Sequence, residues 1–176
     1  MKPGKLFIFL LLIQLFFSCL AKSGFTEDSN VSRATLAGIQ GVQVIVEGMQ
    51  QNLQKYAAKL GSNAEQIKRE VETRLHNQGI RVVYGSDWLK VPGRPVLYIN
   101  VNTHETEKYW YAYDVKLELR QIVYLETNLK TRTLADTWSI NMTGMVNIGK
   151  LDIIKSDTMF LLERFVNAYK SANTGN

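Results

Sequence analysis

The sequence predicts an α+β fold: a two-layer sandwich in which helices pack on one face of a mostly antiparallel sheet of about five strands. Three observations lead there. Residues 109–125, YWYAYDVKLELRQIVYL, alternate with period two. Tyr109, Tyr111, Tyr113, Val115, Leu117 and Leu119 fall on one side, and Trp110, Asp114, Lys116, Glu118, Arg120 and Tyr124 on the other. Strand side chains point alternately to the two faces, so this is a long strand buried on one side, as in an antiparallel sheet with one wet face. Residues 62–79 and 150–171 instead carry apolar side chains at helical spacing. The resulting order of strand, helix, four strands, helix provides two helices for one sheet face and leaves the other in water.

In chain order, residues 41–48 (GVQVIVEG) predict a short strand with Val42, Val44 and Val46 on one face. Residues 49–60 have the spacing of a short helix through Met49, Leu53, Tyr56, Ala57 and Leu60. Ser62-Asn-Ala-Glu65 matches a capping box, in which the hydroxyl accepts an unpaired backbone N–H and the acid reaches back to the cap. Ala64, Ile67, Val71 and Leu75 form the stripe of the helix it opens, and Gly79 closes it in left-handed geometry. Residues 80–84 predict a second strand, parallel to the first across this helix. Residues 85–95, with Pro92 and Pro95, form a loop. Residues 96–102 form a strand with Leu97, Ile99 and Val101 inward and Tyr98, Asn100 and Asn102 outward. Residues 103–108 turn into the long central strand. Residues 133–146 predict the last strand, with Leu134, Trp138, Ile140 and Met142 opposed by Thr133, Thr137, Ser139, Asn141 and Thr143. Ile154, Thr158, Leu161, Phe165, Ala168 and Tyr169 mark the stripe of the final helix.

The N-terminus predicts the compartment. In residues 1–21, Lys2 and Lys5 precede an apolar run at 6–17 broken by Gln14, with small residues at Ser18, Cys19 and Ala21. The run is shorter than the roughly 20 residues that span a bilayer but suits a signal peptide cleaved after Ala21. A second reading takes FFSC as a lipobox, with Cys19 lipidated to anchor the chain to a membrane, although Phe16 stands where leucine is usual. Residues 22–34 predict a flexible leader and residues 35–173 a single domain, either exported to the periplasm or secreted. Cys19 is the only cysteine of 176 residues, so the domain has no internal disulfide. The net charge of +5 falls to about +3 without Lys2 and Lys5 and is spread along the chain. Asn30-Val-Ser32 and Asn141-Met-Thr143 are formal glycosylation triplets.

Taken together, VQVIVEG, the helix ending LHNQGIRV, then PGRPVLYINVN, YAYDVKLELRQIVYLE, TWSINMTG and LLERFVNAYKSAN resemble an uncharacterised family of exported bacterial proteins over residues 35–173. In element order the chain is also similar to small envelope modules such as the N-terminal domain of TolB and the lipoproteins that assist lipopolysaccharide export. The resemblance implies a fold and a compartment, and it carries over no active site.

Chemistry-bearing constellations are sparse. His104-Glu105-Thr106-Glu107 is the densest set of metal-binding residue types, but it sits at a polar loop tip, far in sequence from His76. Ser86-Asp87 fits a turn, and no G-x-S-x-G elbow occurs. Gly38 and Gly41 precede their strand, the wrong context for a phosphate loop. Asp114, Glu118 and Glu126 would have to serve a small hydrolase or carbohydrate-active enzyme, but the first two alternate with Lys116 and Arg120 as cross-strand ion pairs do. Neither a cofactor nor a metal is expected. Nucleic acid is not an expected partner either, because the cations are diluted by acids.

What remains is the outward face, where Trp110, Tyr98, Tyr124 and Arg120 share a surface with Thr137, Ser139, Asn141 and Thr143. Large aromatics among polar groups suit a partner protein or glycan. The expected function is therefore a non-enzymatic accessory module of the envelope or secreted fluid, binding through an open sheet face or a strand edge. Attachment to a membrane or glycan surface is an alternative, and the same edge would permit self-association.

Overall fold

The structure, a computed structural model, describes residues 28–174. Its elements are α1 (Asn30–Ala34), β1 (Gln43–Val46), α2 (Gln51–Lys59), α3 (Ala64–Asn77), a 3-10 turn (Gly85–Lys90), β2 (Val96–Glu107), β3 (Trp110–Leu125), β4 (Asn128–Asn147), a second 3-10 turn (Ile148–Lys150) and α4 (Asp152–Asn173). The sheet runs β1-β2-β3-β4, with β1 parallel to β2 and the other neighbours antiparallel. It is an α+β architecture on an open, mixed, four-stranded sheet.

Period-two alternation sets the inner face. Leu97, Ile99 and Val101 of β2, Tyr111, Val115, Leu117 and Leu119 of β3, and Trp138 and Ile140 of β4 join one buried cluster with the helices. Ile67, Val71 and Leu75 of α3 and Ile154, Leu161 and Phe165 of α4 supply its other half. Trp138 meets Phe165 edge to face, ring centroids 5.4 Å apart, a geometry that aligns the positive ring edge with the negative ring face. The helix layer therefore lies on the side that the alternation predicts.

Several expectations need correction. The strand expected at 80–84 is reduced to one parallel bridge, Val42 to Val82. Val42 donates to the Arg81 carbonyl and Val83 to that of Val42, after which Gly85 (φ +51°) turns the chain into a 3-10 turn. The parallel neighbour of β1 is thus β2, and the sheet has four strands instead of five. The capping box of α3 lies one residue later than expected. Ser62 is buried and donates to the Leu60 carbonyl, so Asn63 accepts from the Gln66 amide at 2.8 Å while Gln66 Oε1 accepts from Asn63 at 3.2 Å. Gly79 does close α3 at φ +78°, and the next amide, Ile80, donates to Leu75.

Tyr109 leaves the predicted core row. It occupies the β2–β3 turn at φ +70° and is exposed, whereas Tyr111 and Tyr113 are buried. In β4, Leu119 pairs with Trp138 but Arg120 pairs with Asp136, so Thr137 is an extra residue. This bulge shifts the phase of everything before it. Leu134, expected inside, instead pairs with Ile122 on the outer face and is exposed.

Residues 28–34, expected to belong to a flexible leader at 22–34, belong instead to the fold. Ser29 and Ser32 cap α1 reciprocally. The buried Asp28 carboxylate takes two bonds of 2.6 Å from Arg33 and one of 2.9 Å from the Trp138 indole. The signal-peptide segment 1–21, the lipidation candidate Cys19 and residues 22–27 lie outside the described residues.

Candidate binding face

The outer face is built from the even positions of β2 and β3 and, beyond the bulge, the odd positions of β4. Opposite partners run Tyr98–Glu118–Ser139, Asn100–Lys116–Asn141, Asn102–Asp114–Thr143 and His104–Ala112–Met145. Ser139, Asn141 and Thr143 thus form the expected polar row. Thr137 does not join it: caught in the bulge, its hydroxyl donates to the Leu119 carbonyl and accepts from the Gln121 amide at 2.8 Å.

Of the expected binding residues, Tyr98 and Arg120 come together. The Arg120 guanidinium lies 3.7 Å from the Tyr98 ring centroid, stacked on its face. The Tyr98 hydroxyl donates to Glu47 Oε2 at 2.5 Å. That bond, with partial burial, raises the phenol above its ordinary pKa. Arg120 also donates to Glu118 at 2.6 Å and Asp136 at 3.0 Å, and Lys116 reaches the other Glu118 oxygen at 2.5 Å. Burial works to raise the Glu118 carboxyl, but the hydrogen bonds from Lys116 and Arg120 outweigh it and hold the group below the usual carboxylate range. The charge ladder is therefore one linked cluster under a cation–π lid. Glu47, which completes it from the end of β1, carries no signal in the sequence beyond being a lone acid after a valine strand.

Trp110 and Tyr124 flank this cluster from afar. At about 3.4 Å per residue, Trp110 lies about 34 Å from Arg120 along β3 and Tyr124 about 14 Å on the other side. Both are exposed, at 44% and 62%. Near Trp110, a shallow depression of about 520 Å³ is lined by Asn102, His104, Ala112, Asp114, Thr143 and Met145 together with Thr103, Tyr113 and Gly144 of the register between them. The Asp114 carboxylate accepts from the Asn141 amide at 3.0 Å. Among the described residues the Thr103 hydroxyl is buried without a hydrogen-bond partner.

The carboxylates considered for hydrolysis do not converge. Asp114 and Glu118 are four residues apart on one strand, about 14 Å, and Glu126 lies in the β3–β4 turn. Glycosidase pairs stand about 5–9.5 Å apart. Among the described residues no group of His, Cys, Asp or Glu is arranged to hold a metal ion.

By fold and site, the molecule is an open-faced α+β module with aromatic and polar groups on its uncovered sheet. Compared with known proteins, the chain matches no family model, and no curated protein sequence is detectably similar to it.

Proposed function

We propose that this protein is an exported, non-enzymatic accessory module that binds a partner protein of the envelope or secreted fluid through the open face of its sheet. The observation that carries the reading is the contrast between the two faces. The inner one is closed by α3 and α4, while the outer one presents Trp110, Tyr124 and the Tyr98–Arg120 stack around a polar row. Exposed aromatics set among polar groups offer large contact area at low entropic cost. The signal-like N-terminus and the resemblance to exported envelope modules support the compartment.

A glycan is the second reading, favoured by the shallow depression two residues along β3 from Trp110, where Asn102, Asp114 and Thr143 offer hydrogen-bonding groups. Crosslinking in the host followed by affinity capture tests both. Trp110→Ala and Tyr98→Ala are expected to lose a partner that the parent chain retains. Unchanged capture with both variants would contradict the face, and capture of polysaccharide instead of protein would select the second reading.

A further inference from the structure

We propose that a second copy of this chain pairs with the free edge of β4, antiparallel, over residues 132–136 and about a two-fold axis through Leu134. The inference goes beyond the open-face reading and does not rest on it.

β4 is an edge strand. Ile122 donates its N–H to the Gly93 carbonyl at 2.7 Å, on the β2 side, while pairing with Leu134 across β3–β4. In an antiparallel ladder the N–H and C=O of one residue point the same way, so Ile122 and Leu134 form a non-hydrogen-bonded pair. The N–H and C=O of Leu134 therefore point out of the sheet. By alternation those of Arg132 and Asp136 do too. The Leu134 carbonyl meets the Thr133 hydroxyl at 3.5 Å, which leaves a second lone pair for an in-line donor.

The length of the template is set from both ends. Toward the hairpin tip, Tyr124 pairs with Arg132 but Leu125 with Asn128, so residues 129–131 leave the register. Toward the domain, the bulge at Thr137 breaks it, and the Thr137 carbonyl accepts from the Thr35 hydroxyl at 3.2 Å. The regular edge is therefore 132–136, with Leu134 at its midpoint. Pairing this stretch with its own copy places Leu134 on Leu134 and Arg132 on Asp136, twice by symmetry.

Charge fits that register. Arg132 and Asp136 share the outer face with Leu134, and among the described residues Arg132 has no ion pair. Asp136 uses Oδ1 for Arg120, which leaves Oδ2 toward an incoming Arg132. Three hydrogen-bonded pairs would add about six backbone bonds. Leu134, 47% exposed, would cover its symmetry mate beside Tyr124. Natural edges are usually blunted by Lys, Pro or inward charge, and this stretch has neither lysine nor proline. The flanking part of β4 from Met142 to Asn147 carries no charged residue that could set a register.

Sedimentation equilibrium tests this on the protein recovered after expression of the full chain, at concentrations up to about 1 mM, which covers weak association. The parent chain is expected to show a monomer–dimer equilibrium. R132D and D136R each place like charges opposite one another and should weaken their own dimers at least tenfold. Mixed in equal amounts they form opposite-charge pairs, so a heterodimer should appear. L134P removes an N–H that points to solvent in the monomer, and should abolish dimerisation with its circular dichroism unchanged; if it fails to fold, the charge-swap pair alone decides. A parent chain that stays monomeric would overturn the proposal. So would a dimer indifferent to R132D and D136R, or a mixture that remains monomeric while the parent dimerises.

Discussion

At the scale of the residue, two carboxylates tie the molecule together. The Asp28 side chain, 2% exposed, lies between Arg33, the Trp138 indole and Arg164, whose guanidinium is 3.6 Å away. The hydrogen bonds from Arg33 hold its carboxyl below its ordinary value against the opposing effect of burial. A folded-state value below the unfolded one means stability that is fully present above the unfolded pKa and lost as pH falls through the folded value. Glu118 acts in the same sense. The melting temperature should therefore fall below about pH 4. Asp28→Asn, which keeps an acceptor for Trp138 but loses the charge, should cost about 2 kcal/mol at neutral pH and flatten that acid dependence. Denaturant melts at neutral and acid pH check both; an unchanged midpoint and an unchanged acid limb would contradict them. Trp110→Ala should cost about 1–2 kcal/mol, since the residue is partly covered, and leave the chain folded while removing partner retention.

Arg120→Met tests what the linked cluster contributes to stability. It leaves the buried Glu118 with Lys116 alone and strips the lid from Tyr98. Losing one partner of a buried carboxylate should cost about 3 kcal/mol, and the Glu118 carboxyl should titrate higher. Urea melts and carbon-detected titration of the glutamates would read these effects.

At the scale of the element, what the sequence conveys depends on how local the cause is. The inner rows of β2 and β3 follow from alternation, and the stripes of α3 and α4 from helical spacing; Ile67, Val71, Leu75, Leu161 and Phe165 are all buried as expected. Gly79 was legible because left-handed closure calls for glycine. The bulge at Thr137 was not, since no residue type announces an extra residue in a strand, and one shift of phase moved Leu134 to the opposite face. The strand at 80–84 failed for a comparable reason: valines give strand propensity, but pairing partners decide how many residues join the ladder. α1 was hidden because its anchors, Asp28 to Trp138 and Arg164, are distant in sequence. Gly144 is another non-local case. An added Cβ would sit 2.5 Å from the Tyr113 hydroxyl oxygen and 2.6 Å from its ring carbon Cζ, and that hydroxyl donates to Asp157. Gly144→Ala should cost about 1–3 kcal/mol in the parent chain and far less in a Tyr113→Ala background. Equal costs in both backgrounds, from chemical denaturation of the four variants, would contradict the close approach.

At the scale of the whole molecule, the sheet is a divider. The long central strand directs its apolar row to the helices and its mixed row to solvent, so one pattern produces both core and candidate site. Tyr98 and Arg120 were legible as members of the outer row, but their stack, and its link to Glu47, follow from strand register that only the fold supplies. The central claim is that partners meet the sheet face and not the helix layer. Photocrosslinking side chains placed one at a time at Asn100, Trp110 and Asn141 on the sheet, and at the exposed Ile153 and Phe160 of α4, measure this in the host. A discrete crosslinked species is expected from the sheet positions and none from α4. A crosslinked partner obtained only from Ile153 or Phe160 would contradict that claim.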